Sequence, residues 1–397
     1  MRVAVVNSFF PPRAGGSAHM SDALAKQVAA AGHEVLLITA AYRDAPDDEE
    51  RDGFRIIRLP SAALTSKLAF NYDLLFTASP RNARRLFKIL DDFRPDVVHE
   101  HGQFFDLTWM STLWARRRRV PRVLTVHTIL RSPFKWHDAL MAVADYTLVR
   151  PFVRIGDPYV VAVDVFVQEY VAQRYGIHGD HLVDIPVGIE ADRFLTTDGR
   201  AVREKLGIGE RPMVLSVGHV IPLRDRLALV EAMPNLLRAV PDLVVVVVGK
   251  IYDDRFLQRA RELGVDHALI AVGEVTKDEV PQYAAAADVE GHDLQGIGFG
   301  TASLEMLAAG VPVVSVVRAD NYPTAHFVDG EHLVLAESSD PDVLAPAILR
   351  LIDDPELRKR LAVGGRRLIE EEFTVEMVAA RYIELYEHAI EARRAAR

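Results

Sequence analysis

The first 39 residues decide the fold of this chain: MRVAVVNSFFPPRAGGSAHMSDALAKQVAAAGHEVLLIT, residues 1–39. The apolar run Val3–Asn7 is typical of a buried strand. A helical pattern over Ser17–Ala31 ends at Gly32 and leads into a second apolar run, Val35–Thr39. Strand, helix and strand in this order form a βαβ unit, because parallel strands require a crossover connection. The stretch therefore predicts a parallel sheet with helices on both faces.

The same alternation of apolar strands and amphipathic helices continues along the chain. Further strands of the first half are predicted at Phe54–Arg58, Val97–Glu100, Arg122–His127, Tyr159–Val163 and Val183–Ile185. A second series after Gly188 has a helix at Leu227–Ala239 and strands at Met213–Val217, Leu243–Val248, Leu269–Val272, Val289–Glu290, Val313–Val317 and Leu333–Leu335. We therefore predict an α/β fold of two Rossmann-like, doubly wound domains facing a central cleft. The first domain is predicted to comprise residues 1–190 together with the last helix, 375–397. The second domain is predicted to comprise residues 191–374.

The composition excludes several classes of protein. The 397 residues carry 47 Lys and Arg against 56 Asp and Glu, a net charge of −9, whereas a general nucleic-acid binder carries a basic surface. No cysteine is present, which excludes a disulfide scaffold, a thiolate nucleophile and cysteine-ligated metal sites. The short apolar start before Pro11 lacks the features of a signal peptide, and no apolar run is long enough to span a bilayer. We expect a cytoplasmic protein, at most attached to the inner face of a membrane.

Two candidate sites follow strands of the first half, where ligands of open α/β sheets bind. Gly15 and Gly16 open a helix whose N-terminus suits an anion such as a diphosphate; alternatively they form a flexible turn with Ser17 as the helix cap. His127, in LTVHT at 124–128, either hydrogen-bonds a sugar hydroxyl or leaving phosphate, or has a structural role.

A third candidate site follows the strand at Met213–Val217. Gly218 and His219 are followed by Arg224 and Arg226 in a loop that leads into a helix. A guanidinium group is planar, permanently charged and bidentate, so it suits a phosphate. The alternative is that both arginines are solvated and pair with Asp225.

A fourth candidate site is the glycine-rich loop 296–301, which opens a helix containing Glu305. Backbone N–H groups of such a loop hold a sugar or phosphate, and a carboxylate accepts hydrogen bonds from ribose hydroxyls. The alternative is a helix with a glycine-rich start and a solvated Glu305.

The four motifs, in this order, resemble the retaining glycosyltransferases of family four, which have the GT-B fold. The resemblance covers nearly the whole chain, and its most specific part is GFGTASLEMLAAGVPVV at 298–314. Other matching stretches are the opening FFPPRAGGSAHM with AAAGHEVLLIT, RPDVVHEHG at 94–102, LTVHT at 124–128, IPVGIEADRF at 185–194 and DDPELRKRL at 353–361. In that fold the last helix, Val375 to about Ala392, crosses back onto the first domain.

The resemblance implies transfer of a sugar from a nucleotide-diphosphate donor to a hydroxyl acceptor, with retained anomeric configuration and without a metal. The catalytic set would be His127 on the donor sugar, Arg224 on the diphosphate and Glu305 on the ribose. The other implied donor-binding residues are Gly15, Gly16, Gly218, His219, Val275, Gly298, Phe299, Gly300 and Thr301. We expect no cofactor, because the nucleotide sugar is a co-substrate.

The chain departs from the family pattern near the sugar. A second Glu normally stands eight positions before the one matching Glu305, and this chain has Ile297 there. We hypothesise an altered donor sugar, such as a deoxysugar, or a shifted contact. His219 replaces a usual Arg. The polar residues just before Ile297 either replace the missing carboxylate or form a hydrogen-bonded scaffold: Glu290, His292, Asp293 and Gln295. His292 and Asp293 alone make a poor metal site.

The implied mechanism is front-face transfer, which needs no enzymic nucleophile and depends on positioning and on charge stabilisation at the leaving diphosphate. Other functions stay open: a GT-B-like epimerase or phosphorylase, and a non-catalytic sugar-nucleotide-binding subunit.

The acceptor, a small molecule, glycan or lipid-linked molecule, is expected on the first domain. Three features of this domain could form a groove for a lipid-linked acceptor beside an anionic membrane: the tryptophans Trp109, Trp114 and Trp136, the run Arg116–Arg119 and the apolar segment Ala62–Phe76. The alternative is that the tryptophans are core residues and that the arginine run is a solvated helix end.

Overall fold

A computed structural model of the protein describes residues 1–13, 16–64, 74–129, 135–195 and 198–396. The chain divides into two compact units, one formed by Met1–Gly188 with Val375–Arg397 and the other by Ile189–Thr374. Mixed α/β structure with parallel sheets confirms the predicted fold class.

The first unit is built on an eight-stranded sheet in the order β10-β9-β8-β7-β1-β2-β4-β3, parallel except for β3. Its strands are β1 (Arg2–Asn7), β2 (Glu34–Ala40), β3 (Asp48–Arg51), β4 (Phe54–Leu59), β7 (Val97–His101), β8 (Arg122–Val126), β9 (Tyr159–Ala162) and β10 (Leu182–Asp184), while β5 (Ala62–Leu64) and β6 (Leu74–Phe76) form a separate antiparallel pair. The side chains of β1 are buried almost throughout, as a doubly covered strand requires.

Helices cover both faces of this sheet. They are α1 (Gly16–Ala30), α2 (Pro80–Phe93), α3 (Asp106–Arg118), α4 (Lys135–Ala144), α5 (Arg150–Arg154), α6 (Val165–Tyr170) and α14 (Val375–Ala395), with π-helical turns at Asp145–Val149 and Val171–Tyr175. The two faces follow the alternation of a strand: Val3 and Val5 pack with α1 and α14, whereas Ala4 and Val6 pack with α2 and α3.

The second unit repeats the architecture on a smaller scale, with a parallel sheet in the order β13-β12-β11-β14. The strands of this sheet are β11 (Met213–Val217), β12 (Val244–Val248), β13 (Leu269–Gly273) and β14 (Val289–Glu290). Two further strands of the unit, β15 (Val314–Ser315) and β16 (Val334–Leu335), form a separate parallel pair. Its helices are α7 (Arg200–Leu206), α8 (Leu227–Ala239), α9 (Arg255–Glu262), α10 (Val280–Ala286), α11 (Thr301–Ala309), α12 (Pro341–Asp353) and α13 (Pro355–Glu372), with 3₁₀ turns at Ala191–Phe194 and Asp266–Ala268.

The predicted strands are present with shifted ends, and the sequence reasoning passed over some elements. The strand predicted to include His127 ends at Val126, and the one predicted at Val313–Val317 is confined to two residues. The antiparallel strand β3 was missed because DEER is too polar to indicate a strand. Helix α2 ends at Arg94 in a left-handed conformation, φ 52°, where the chain turns into β7. Within the described residues, no helix combines the length and the apolar character needed to cross a bilayer.

Candidate functional site

The strand order gives each unit one place where ligands of such folds bind, the point at which the winding of the sheet reverses. In the first unit this point lies between β1 and β7, and in the second between β11 and β14. The predicted residues cluster at the carboxyl ends of these strands and of β8. Each unit is therefore described by its own cluster.

In the first unit, the loop after β1 is fixed by Asn7. Its amide donates to the Ser17 carbonyl (3.1 Å) and to the Ser21 hydroxyl (2.9 Å) in the first turns of α1, while its Oδ1 accepts from the Phe9 N–H. Gly16 is exposed, with no atom near the position of a Cβ, so its backbone is open to a ligand. Gly15 lies outside the described residues.

His127 follows β8 and is half-buried. Its Nε2 lies 2.9 Å from Nδ1 of His101, the last residue of β7, and the two ring planes are within 11° of parallel, with centroids 5.2 Å apart. His99 lies below His101 and is hydrogen-bonded to Thr125 (2.8 Å) and to Tyr386 of α14 (2.6 Å). A ladder of three histidines therefore ends at the predicted sugar contact.

The histidines of this ladder are neutral. Burial lowers the pKa of His127 to about 4 and that of His99 to about 3, and burial together with the neighbouring rings lowers the pKa of His101 well below its ordinary value. His127 can therefore donate or accept a hydrogen bond without carrying charge at neutral pH.

In the second unit, Asp293 joins the two predicted phosphate and sugar loops. Its Oδ1 forms an ion pair with Nη1 of Arg224 (3.0 Å), and its Oδ2 accepts from the Gly300 N–H (2.6 Å) at the start of α11. A Cβ at position 300 would lie 2.5 Å from Arg224 Nη1, so a larger residue there would displace the Arg224 guanidinium from its present position. In this structure the Gly300 N–H donates to Asp293, and its contact with the donor sugar stays a prediction.

Arg226 is buried behind Arg224 and does not pair with Asp225 in solvent. It donates to the carbonyls of Arg224 (2.8 Å) and Gly218 (2.9 Å), which fixes the loop. Burial lowers the pKa of Arg226 to about 10, a shift that Asp293 and Glu290 oppose, so the guanidinium stays charged. Gly218 has φ 131° and leaves no room for a Cβ, which would lie 2.8 Å from the His292 ring.

Glu290 and His292 are buried polar residues, not surface ligands. Both carboxylate oxygens of Glu290 lie 3.3 Å from the Ser303 hydroxyl, and burial, with Asp293, raises the pKa of Glu290 well above its ordinary value. Nε2 of His292 accepts from Arg224 (3.3 Å), and burial lowers the pKa of His292. The two residues therefore form part of the scaffold behind Arg224.

Several polar atoms near the glycine-rich loop have no hydrogen-bond partner among the described residues. They include Nδ1 of His292, both amide atoms of Gln295 and both amide atoms of the fully buried Asn321. The segment that carries Asn321 lies beside this loop, since Val316 N–H donates to Asp293 and the Tyr322 hydroxyl donates to the Phe299 carbonyl (2.8 Å). Sequence reasoning did not single out Asn321, which carries no motif signal.

The residues of the loop itself differ in exposure. Ile297 is 43% exposed, whereas Phe299 is buried against Phe327, with ring centroids 4.7 Å apart. Gly298 is buried with φ 120°, and Thr301 begins α11 half-buried. Phe299 thus anchors the loop, and only its backbone could meet a ligand.

Glu305 lies half-buried in α11, near a group of charged side chains. Burial raises its pKa to about 7, while Lys277 and Arg193 lower it and Glu190 raises it. Glu190 itself pairs with Lys277 (2.5 Å) and Arg193 (3.3 Å). The Glu305 carboxylate is therefore poised to change its charge near neutral pH.

Val275 and His219 complete the predicted donor-binding set of this unit. Val275 is half-buried after β13. His219 lies at the surface, with its ring 5.9 Å from that of Tyr252. Desolvation lowers the pKa of His219; Glu274 opposes this effect, and Lys250 and Arg226 add to it. The cationic charge of the loop therefore comes from the arginines. No group of three or more potential metal ligands occurs among the residues that the structure describes.

The predicted acceptor groove is not assembled as expected. Trp114 is buried, with Nε1 donating to Asp91, and Trp109 stacks on Phe152. Arg116–Arg119 is exposed at the end of α3, next to the start of β8. It therefore lies at the amino ends of the strands, whereas His127 lies at their carboxyl ends. Most of Ala62–Phe76 lies outside the described residues.

Trp136 instead belongs to an exposed apolar face of α4 and the π-helical turn that follows it. Trp136 (72% exposed), Leu140 and Val143 have the spacing of one helix face, and Tyr146 and Leu148 extend it. We call these five residues the α4 stripe. Lys135 is exposed at its start and the Arg150 guanidinium lies 4.6 Å from the Tyr146 ring, whereas Asp145 is buried under Tyr170 and Tyr175. This face is apolar and bordered by positive charge.

Comparison with known families matches two models to the chain. The model described as Glycosyltransferase Family 4 matches residues 14–193, and the model described as Glycosyl transferases group 1 matches residues 198–368. The two matches together cover most of both units.

Relatives and solved structures agree with these models. The chain is 28% identical to the GDP-mannose-dependent alpha-(1-6)-phosphatidylinositol monomannoside mannosyltransferase of Mycolicibacterium smegmatis, over 98% of this chain and 100% of that protein. It is 30% identical to D-inositol 3-phosphate glycosyltransferase 2 of Catenulispora acidiphila, over 77% of this chain and 75% of that protein. The fold is similar to that of a glycosyltransferase from Rickettsia africae (TM-score 0.76, 18% identity, 98% of both chains) and of Anabaena HepE in complex with UDP and glucose (TM-score 0.72, 17% identity, 98% and 99%).

Proposed function

The chain is a GT-B glycosyltransferase that belongs to family four, and from this premise we propose that it transfers a sugar from a nucleotide-diphosphate donor to a hydroxyl acceptor with retention of configuration and without a metal. The observation that carries the proposal is the Arg224–Asp293–Gly300 arrangement, which holds a cation at the start of α11. A cation beside a helix N-terminus stabilises a leaving diphosphate.

Front-face transfer needs no enzymic nucleophile, and the carboxylates near this loop fit that requirement. Asp293 is engaged by Arg224 and Gly300, and Glu290 is fully buried with a raised pKa. Neither offers a free oxygen for attack on an anomeric carbon. The reaction then depends on positioning of the acceptor and on charge stabilisation at the diphosphate.

We assign the ribose to Glu305 and a sugar hydroxyl to His127, whose neutral ring can form a hydrogen bond without a charge change. The amides of Gln295 and Asn321, which have no hydrogen-bond partner among the described residues, are candidates to select the sugar, since Ile297 supplies no carboxylate at its position. A buried polar group without a partner favours a ligand that supplies one.

For the acceptor we propose a lipid-linked hydroxyl at the cytoplasmic face of an anionic membrane. The α4 stripe supports this, because aromatic and apolar residues bordered by Lys135 and Arg150 suit the interface of such a bilayer. The relatives named as phosphatidylinositol monomannoside mannosyltransferases act on lipid-linked acceptors, so GDP-mannose and a phosphatidylinositol-type acceptor are the first pair to test.

The test begins with a panel of GDP-, UDP- and dTDP-sugars, deoxysugars included, ranked by the rise in thermal midpoint. Donors that stabilise the protein are then assayed for transfer with and without EDTA, and the anomeric configuration of the product is read by NMR. We expect transfer with retention that EDTA does not abolish. An inverted product, donor conversion without acceptor or phosphate-dependent turnover would overturn the proposal.

Arg224 offers a sharper test of the site. We expect Arg224→Ala to lower kcat/KM by about 100-fold, because a fixed charge at the leaving group is lost, while Arg224→Lys keeps most of the activity. Arg238→Ala is the control, at an exposed arginine that donates to Asn235. Wild-type kcat/KM in a folded Arg224→Ala variant would contradict the assignment.

A further inference from the structure

His101 is a buried residue to which the proposed mechanism gives no task. It ends β7 with no exposed surface, and its Nδ1 lies 2.9 Å from Nε2 of His127 across two adjacent strand ends. The ring planes are within 11° of parallel and the ring centroids are 5.2 Å apart, so the two nitrogens face each other edge to edge. One ring must donate and the other must accept.

The donor of this bond follows from the other nitrogen of His101. Its Nε2 is buried and has no hydrogen-bond partner in the part of the chain that the structure describes. If His101 carried its proton on Nε2, a buried N–H donor would be left unpaired, which is rare in folded proteins. If the proton is on Nδ1, that N–H donates to Nε2 of His127 and Nε2 of His101 is an unprotonated acceptor. The second arrangement costs less.

The surrounding residues hold the His101 ring in place. His99 lies against it with ring centroids 4.2 Å apart, and His99 is bound on one nitrogen by Thr125 and on the other by Tyr386. Tyr382 of α14 is hydrogen-bonded to the same Thr125 hydroxyl (2.9 Å). The ladder therefore leaves the His101 ring little freedom to turn away.

We propose that His101 is a positioning residue that holds His127 in its Nδ1–H tautomer, so that His127 presents a neutral N–H donor outward. A ring whose Nε2 accepts must carry its proton on Nδ1. That this donor meets an oxygen of the donor sugar rests on the proposed function; the tautomer itself does not. His127 then binds an oxygen lone pair and takes no proton from the acceptor.

The tautomer is measured on the full-length protein without substrate, by long-range ¹⁵N–¹H correlation NMR of ¹⁵N-histidine-labelled chain. His127→Gln identifies the His127 signals. We expect protonated Nδ1 and unprotonated Nε2 for His127. The opposite pattern in the wild-type protein would overturn the proposal, whether or not any transfer activity is found.

Two variants of equal shape test the cause. The amide introduced by His101→Asn can donate from the position of Nδ1, whereas the carboxylate introduced by His101→Asp, measured at a pH at which ¹³C NMR shows it ionised, can only accept there. We therefore expect His101→Asn to keep the Nδ1–H tautomer of His127 and His101→Asp to shift it to Nε2–H. An unchanged tautomer in folded His101→Asp would overturn the proposal; should that variant not fold, the wild-type and His101→Asn spectra still decide.

Activity separates this inference from the proposed function. With a working donor, His101→Asp should have a kcat/KM about tenfold below that of His101→Asn, because the outward donor is lost in only one of them. The expected tautomers without this difference would support the role of His101 and overturn the sugar contact of His127.

Discussion

A single carboxylate, Asp293, organises the candidate phosphate site. It orients the Arg224 guanidinium and the backbone amide of Gly300, the residue before α11, at once. Asp293 is itself buried, and a buried charge is unfavourable unless it is paired. Its two partners and the nearby buried Arg226 supply that compensation. The charged residues of this loop thus hold the Arg224 cation in place without exposing the carboxylates of Asp293 and Glu290.

Glu305 predicts a pH dependence of donor binding. Its pKa of about 7 means that its ionised fraction rises from ~10% at pH 6 to ~90% at pH 8. If the carboxylate binds the ribose hydroxyls, the ionised form binds the donor more tightly, so affinity should rise with pH by up to about tenfold over this range. Isothermal titration with an intact nucleotide sugar measures it.

Glu305→Gln is the matched control for this prediction, because it keeps the shape and removes the titration. Its donor affinity should be nearly flat between pH 6 and 8. An equal rise in both proteins would assign the effect to another group.

Ile297 predicts a change of donor preference. Its side chain is 43% exposed, so a glutamate fits there without burying an unpaired charge. We expect Ile297→Glu to improve kcat/KM for fully hydroxylated hexose donors relative to deoxysugar donors, with Ile297→Gln showing a smaller shift. The measurement is the ratio of kcat/KM values across the donor panel. An unchanged ratio would show that position 297 does not select the sugar.

The proposed contact with an anionic membrane is made by helix α4. We expect Trp136→Ser with Leu140→Ser to lower partitioning onto anionic liposomes by about tenfold or more, because two exposed apolar side chains no longer enter the interface. Co-sedimentation measures the bound fraction. Val363→Ser, an apolar residue of the second unit that is 70% exposed, is the control and should have no effect.

The arginine run at the end of α3 supplies the contrasting outcome. Arg116–Arg119 precedes the start of β8, whereas α4 comes after the end of β8. Neutralising the arginine run should therefore leave liposome binding largely intact. Release by these changes, with binding kept in the α4 variant, would contradict the α4 stripe as the membrane face.

The two ends of the chain meet in the first unit, where α14 packs with α1. Tyr382 and Tyr386 of α14 are buried and hydrogen-bonded to Thr125 and His99 of the central strands. The last helix thus completes the core of the first unit and supports the histidine ladder above it.

Tyr386→Phe tests this role. It leaves the buried Nδ1 of His99 without a partner, so we expect the free energy of unfolding to fall by about 1–3 kcal/mol, measured by urea denaturation. Tyr146→Phe, at an exposed tyrosine, should change it by less than about 0.5 kcal/mol. Equal stability of the Tyr386→Phe protein would contradict a structural role for this hydroxyl.

The amino-acid sequence alone determined the α/β class, the places of most strands and the family, because apolar periodicity and glycine-rich loops are local signals. It also predicted Arg224 and His127 after strands and Glu305 in the helix that follows the glycine-rich loop. It did not determine their partners. Asp293 on Gly300, His101 on His127 and Tyr386 on His99 pair residues between 7 and 287 positions apart, and only the packing of strands and helices brings such residues together. Burial, which sets the pKa of Glu305 and leaves Trp136 exposed while Trp114 is enclosed, is likewise a property of the folded chain.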